Sequence, residues 1–398
     1  MPDMEQLYQQ RLKRYVTAMN NGKPDRIPIR PFVAEFIATY TGMSCQDVTQ
    51  DFQKAFEATR KCCKDFDWDA TVSNMVYVWA GIPQAANLKY YQIPGVGLAP
   101  DHGFQYLEPP EGKAFMQADD YDALIADPTG FLYNTWLPRV SGDIVPIGSP
   151  SSLRSNVAIL KSAMAMMSYF GAFPAHVERM RTECGTVSAI AGILKAPMDI
   201  LADKLRGYMG LCDDLMERPE KVKKACEALQ PHLYHVARTS ADPSKTVPIG
   251  FWMHRSCVPF ISFDQFRDIM WATLKPIILE LWKNGYRTLF YAEGKWEAHL
   301  KTFADELPER SIVFHCDRDD IFQAKKILGH KFCISGGVPN RMLAFGTPQE
   351  VRDLVKRLCK EVGRDGGYIM DGSAIIQNDA KVENVRAMTE ATREYGVY

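Results

Sequence analysis

Three side chains of metal-ligand type fall where successive strand ends are expected: Glu293 closing RTLFYAE, His315 near the end of SIVFHC, and Cys333 in KFCISGG. The separations, E-x21-H and H-x17-C, match one strand, helix and turn, so adjacent parallel strands would carry a carboxylate, an imidazole and a thiol to about one height. Zinc accepts O, N and S ligands, and a catalytic zinc keeps three protein ligands and one open position. A carboxylate and a thiolate would together cancel its charge. The competing reading makes Glu293 an ion-pair partner, His315 a hydrogen-bonded strand residue and Cys333 a small core hydrophobe. Cys316, next to His315, should point to the opposite face of its strand, and it replaces Cys333 as sulfur ligand if the register is off by one. Asp317, Asp319 and Asp320 follow, either orienting a ligating histidine or standing as acids favoured at a helix N-terminus.

Other side chains could reach the same place. His254 and Arg255 follow VPIGFWM and suit an anionic substrate group, while Asp371 and Ser373 follow GYIM. Tyr77, Trp79, Trp252 and Tyr291 lie on expected strands and would wall a flat apolar substrate, although alternation lets only some of them face inward. Phosphate-binding loops, the G-x-S-x-G elbow and H-E-x-x-H are absent from the sequence, which argues against nucleotide-dependent chemistry and serine hydrolysis.

Five late runs, 247–253, 287–293, 311–316, 331–337 and 367–370, are short, β-branched or aromatic, and separated by helical spacing. That is the pattern of βα units around a parallel sheet. Ser262-x-x-Gln265 and Thr347-Pro348-Gln349-Glu350 read as capping boxes at helix starts. Earlier candidates are 27–33, 70–79, 143–149 and the more ambiguous 187–193, so the total approximates the eight strands of a (β/α)8 TIM barrel. Residues 1–398 then form one barrel domain, with 1–26 as a helical N-terminal extension and 84–140, rich in Pro, Gly and aromatics, as a long loop or insertion. Strand ends on one face of such a barrel are where its active sites are built.

With 47 Lys plus Arg against 48 Asp plus Glu among 398 residues, no basic excess exists to neutralise a phosphate backbone, and nucleic acid is not expected as a partner. The N-terminal stretch has no apolar core of signal length, and no run approaches ~18 uninterrupted apolar residues. A cytoplasmic protein without a membrane partner is expected. Ten scattered cysteines without C-x-x-C spacing read as reduced thiols.

The stretches FISFDQF, FYAEGKWEAHL and FHCDRDDIFQAKKILGHKFCISGGVPNRMLAFGTPQEVRD, with the ending ENVRAMTEATREYGVY, resemble the uroporphyrinogen decarboxylase superfamily, best from about residue 247 onward. The resemblance implies one (β/α)8 barrel with a helical extension. Decarboxylases of that family carry an Arg-rich N-terminal segment resembling R-Q-A-G-R-Y that binds the carboxylates of the substrate. Here the region reads IPIRPFVAEFIATYTG, with Arg30 but no such motif, so the resemblance turns to the other branch, zinc methyltransferases that exchange methyl groups with a corrinoid protein. The thiol-methylating members use H-x-C and a later Cys. This chain has Tyr291-Ala292-Glu293 and Asp371-Gly372-Ser373 there, and looks more like members that demethylate methoxylated aromatics with Glu and His on zinc.

The expectation is therefore methyl transfer from an O-methyl small molecule to the Co(I) corrinoid of a partner protein, with zinc on Glu293, His315 and Cys333 polarising the ether oxygen. Alternatives are transfer from a methylated corrinoid to a thiol or pterin, a metal-free lyase using Arg30, His254, Arg255 and Asp371, or a non-catalytic binding barrel. A homo-oligomer is compatible with all of these.

Overall fold

The computed structural model describes residues 3–74, 79–110 and 112–398. Six strands form one parallel sheet in chain order: Ile193–Lys195, Ile249–Met253, Thr288–Ala292, Ile312–Cys316, Cys333–Val338 and Tyr368–Gly372. Shorter pieces join its two edges. The Arg30 N–H donates to the Met370 carbonyl and the Met370 N–H to that of Pro28, each at 2.9 Å, which lays the segment around Ile29 beside the last strand. On its other side the Asp69 and Ala70 N–H groups donate to the Ile29 carbonyl at 3.0 and 3.2 Å. Ala70–Thr71 pairs in parallel with Val187–Ser188, and that stave, broken after Ser188, resumes as Ile193–Lys195 beside Ile249–Met253. The described residues thus make eight staves of a closed α/β barrel, the (β/α)8 TIM fold.

Strand alternation sorts the side chains into two cores. Leu289, Tyr291, Val313, Cys333, Trp252 and Ile369 pack together inside the ring, whereas Phe290, Phe314, Cys316, Ile334 and Met370 face outward onto the helices. The N-terminal helix Met4–Met19 begins at Asp3, whose carboxylate caps the Glu5 N–H at 3.0 Å. It contributes Tyr15, Ala18 and Met19 to the inner core, and the Tyr15 hydroxyl donates to the Ala189 carbonyl at 3.0 Å. Both capping boxes read from sequence are present, with Ser262 and Thr347 accepting from the Gln265 and Glu350 N–H groups at 3.2 and 3.3 Å.

Residues 143–149 are not a strand. Ser141 Oγ accepts from the Asp143 and Ile144 N–H groups, Pro146 lacks the N–H a ladder needs, and Gly148 takes φ +83°. Of the expected 70–79 strand only Ala70–Thr71 pairs, and residues 75–78 lie outside the described residues. Within 84–140 there are short helical turns and one small antiparallel pairing, Tyr91–Gln92 with Gln105–Tyr106.

The last strands pack too tightly for ordinary residues at one point: Gly336 has φ +100°, and a Cβ there would lie 2.6 Å from the Cys316 carbonyl oxygen. Gly336→Ala should therefore lower unfolding stability by roughly 1–3 kcal/mol or more, measured by denaturant titration, while an exposed control such as Gln349→Ala stays within about 0.5 kcal/mol.

Candidate active site

One polar layer crosses the barrel interior. Trp252, Tyr291, His315 and Ser335 are in register on four neighbouring strands, and the first three stack face to face, each ring centroid 4.2 Å from the next. Phe32 stands edge-on to all three at 5.4 to 5.7 Å. Arg30, wholly buried, lies 4.2 Å above the Phe32 ring and donates from one terminal nitrogen to Asp371 at 2.9 Å and to His315 Nδ1 at 3.2 Å. Asp371 also accepts from the Phe32 N–H at 3.1 Å. Burial pushes the Asp371 carboxyl up, against the pull of Arg30.

This geometry fixes the state of His315. Its Nε2 lies 3.0 Å from the Ser373 carbonyl, which can only accept, so Nε2 carries the proton and Nδ1 is the acceptor for Arg30 and for Ser335 Oγ at 3.1 Å. Burial and the Arg30 charge hold the ring neutral, far below its ordinary pKa. Neither nitrogen offers a free lone pair to a metal.

The Glu293, His315, Cys333 convergence expected from spacing does not form. Cys333 is opposite Val313, not His315, so it faces inward one layer lower, and burial pushes its thiol up to about 12. Glu293 follows the strand's last residue, its N–H donating the final rung to the Met253 carbonyl at 3.0 Å, and its side chain borders the outer cavity, whose lining does not include His315. Among the described residues no group of three or more His, Cys, Asp or Glu side chains is placed to hold a metal ion. The donor set does not fit zinc. Cys316, the alternative sulfur, faces the helices as alternation requires and donates to the Asp319 carbonyl.

The open chemistry lies above this layer, in a cavity of about 1870 Å³ at the C-terminal ends of the strands. It continues down the broken stave and along the helix Leu153–Cys184, with Trp252, Tyr169, Phe170 and Phe173 as apolar wall. On one side Asp203 gathers three cationic or basic groups: Lys195 Nζ at 2.5 Å, and His254 Nε2 and Arg255 Nε at 3.0 Å each. These partners hold the Asp203 carboxyl far below the usual range. Asp199 ties the loop down, accepting from the His254 and Arg255 N–H groups at 3.0 and 2.9 Å and from Ser256 Oγ at 2.6 Å.

On the other side stand Glu293 and Asp317. Asp317 accepts from the Gly294 N–H at 2.8 Å, and burial, with a smaller push from Glu293, raises its carboxyl to about 6. Asp319 accepts from the Trp296 and Glu297 N–H groups and Asp320 caps the helix Ile321–Leu328; neither touches His315. Trp79 donates its indole N–H to the Gln50 carbonyl at 2.8 Å and packs on Phe52 and Tyr169, without itself lining the cavity. Tyr77 lies outside the described residues.

A family model described as uroporphyrinogen decarboxylase (URO-D) matches residues 149–395, well over half of the chain. The chain belongs to the uroporphyrinogen decarboxylase family. The barrel of this family member is similar to that of a methyltransferase from Methanosarcina mazei, with a TM-score of 0.63 at 14% identity, over 96% of this chain and 98% of that one. At such identity the likeness shows the fold. No curated protein matches the sequence.

Sequence reasoning missed Lys195, Asp199 and Asp203. Their signal was a lysine at a strand end followed by two aspartates four residues apart, which a helix starting at Pro197 places on one face. Two outcomes test the interior layer. Asp371→Ala leaves Arg30 buried without a counter-charge and should cost about 3–5 kcal/mol in denaturant unfolding. Zinc titration followed by elemental analysis should give the same stoichiometry for wild type, His315→Gln and Cys333→Ser, and zinc lost in both variants would overturn the assignment.

Proposed function

We propose that the protein transfers a methyl group from a methoxylated aromatic molecule to a reduced corrinoid carried by a partner protein, with Asp317 as the proton donor to the departing oxygen. The observation that carries the reading is the cavity: broad, open, aromatic-walled and bordered by a half-buried carboxyl raised to about 6. A flat ring stacks on the aromatic wall, and the Lys195, His254 and Arg255 side suits a carboxylate or phenolate on that ring. The partner's corrinoid supplies the nucleophile that takes the methyl carbon.

An aryl ether resists such attack because its oxygen leaves as a poor anion. A proton delivered as the C–O bond breaks removes that charge, leaving a neutral phenol and the Asp317 carboxylate, and a donor is most effective when its pKa is near the working pH. The Gly294 N–H fixes the Asp317 carboxyl from behind. Zinc on Glu293, His315 and Cys333 is not part of this proposal, because the donors are apart.

Decarboxylation of a polycarboxylate is less well supported. Among the described lining residues Lys195, Arg255, Lys295 and Arg318 stand against Glu178, Asp242 and Glu293, with Asp317 neutral in its proton-donating form, so these groups leave no more than one net positive charge for a polyanion.

The test is an anaerobic assay with free reduced corrinoid and a panel of methoxybenzoates, following phenol release by mass spectrometry. Asp317→Asn should lose roughly 10²–10⁴-fold in rate. Wild-type rate should fall as pH rises through about 6, and the variant should lose that limb. The sign agrees with stability linkage: the folded carboxyl binds its proton more tightly than the unfolded one, so its contribution declines as pH rises from about 4 through 6. No phenol across the panel, with carbon dioxide released from carboxylated aromatics instead, would replace this reading by a lyase.

A further inference from the structure

Two buried donors beneath the cavity have nothing to receive their hydrogens. Among the described residues the Trp252 indole N–H and the Tyr291 hydroxyl make no hydrogen bond, although Trp252 is only 6% exposed and Tyr291 is wholly enclosed. Buried donors of this kind are rare, because each gives up water without a replacement. They are neighbours: the two residues pair across adjacent strands, and their rings stack at 4.2 Å, 16° from parallel. No acceptor of the polar layer is left over for them. The Asp371 oxygens take the Phe32 N–H and Arg30, and His315 Nδ1 takes Arg30 and Ser335 Oγ.

An acceptor from outside can reach them by way of the cavity. Trp252, Ile190 and Ile375 belong both to the inner core and to the cavity lining, so the aromatic stack is the floor of that cavity. The indole is turned toward the opening. A Cβ on Gly250, two residues earlier on the same face of the strand, would lie 3.1 Å from Trp252 Cζ3. The benzo edge therefore leans down the strand, and the Nε1 edge faces the C-terminal end where the cavity opens. The Tyr291 hydroxyl feels Glu293 and Asp317 of the cavity as well as Asp371 and Arg30 of the layer. Charge decides the kind of acceptor. Arg30 is wholly buried, and burial pushes the carboxyl it pairs with, Asp371, up to about 7, so negative charge brought by a ligand is favoured here. Across the cavity Lys195, His254 and Arg255 already share Asp203, and they steer an anion inward more than they seat it.

We propose that the Trp252 indole N–H and the Tyr291 hydroxyl form an anion seat in the cavity floor, donating to the carboxylate or phenolate oxygen of an aromatic ligand. The seat rests on the reading of this cavity as the substrate site and fixes which end of the ring enters first. It operates with or without methyl transfer.

Isothermal titration of the full chain with benzoate, its neutral isostere benzamide, and 4-nitrophenolate tests this, since none of the three carries a methyl group to lose. Benzoate should bind at least tenfold more tightly than benzamide. A carboxylate ligand is indicated where benzoate outbinds 4-nitrophenolate, and a phenolate ligand where the order is reversed with benzoate still displacing the probe. Tyr291→Phe keeps the ring and drops only the hydroxyl; it should weaken the tighter anion at least tenfold and collapse the preference for benzoate over benzamide. Trp252→Phe should do the same, both with unchanged far-ultraviolet circular dichroism, while Arg255→Gln should lose less affinity than either. Wild type that binds neither anion, benzamide bound as tightly as benzoate, phenylalanine variants that keep the preference, or Arg255→Gln alone losing it would each overturn the seat. Binding that meets these expectations in a protein that releases no phenol would retire methyl transfer and leave the seat standing.

Discussion

A guanidinium sealed inside the barrel governs how the rest of this chain is arranged. Arg30 sits wholly buried on the first stave, and a buried charge is tolerated only where partners are fixed in place. Those partners are Asp371 on the last stave and His315 on the sixth. Between first and last staves the backbone makes isolated bridges, Ile29 with Met370 and, past the strand end, Val33 with Ile376, and the side-chain pair adds a tie across that seam. Phe32 covers the guanidinium face and in turn props the Trp252–Tyr291–His315 stack.

Arg30, Asp371, His315 and Ser335 are tied to one another in that layer, and the open cavity lies above it, walled by loops. The turn after Thr288–Ala292 is stitched to the turn after Ile312–Cys316 by the Gly294, Trp296 and Glu297 N–H groups, which point at Asp317 and Asp319. Backbone donors thus position the carboxyl whose burial raises its pKa. Across the cavity Asp203 does the reverse, drawing cations around an ionised group. The two walls carry opposite protonation preferences within one opening.

The barrel was legible because its late strands are compact β-branched and aromatic runs with capped helices between them, and the inward set follows from alternation alone. Height along the barrel axis was not legible. Cys333 is the first residue of its strand and His315 the fourth of its own, and counting residues between them does not reveal how much of the interval the helix and turns absorb. The competing roles for His315 and Cys333, a hydrogen-bonded strand histidine and a core thiol, are the ones the packing supports. Residues 143–149 misled because apolar composition outweighed the Pro and Gly that forbid a ladder. The Asp199–Asp203 pair was visible as spacing but needed the broken third stave to be recognised first.

The ring is unequal around its circumference. Strands of five or six residues run from Ile249 to Gly372, while Ala70–Thr71 and Val187–Ser188 share only a two-residue pairing and their stave is interrupted before Ile193. Amide protons should therefore exchange with solvent sooner on that arc, since fewer rungs must open together. The yielding arc is also the one that the cavity follows toward the long helix, so a bulky ring system can enter by local breathing of the wall while the opposite arc keeps the buried charge layer intact.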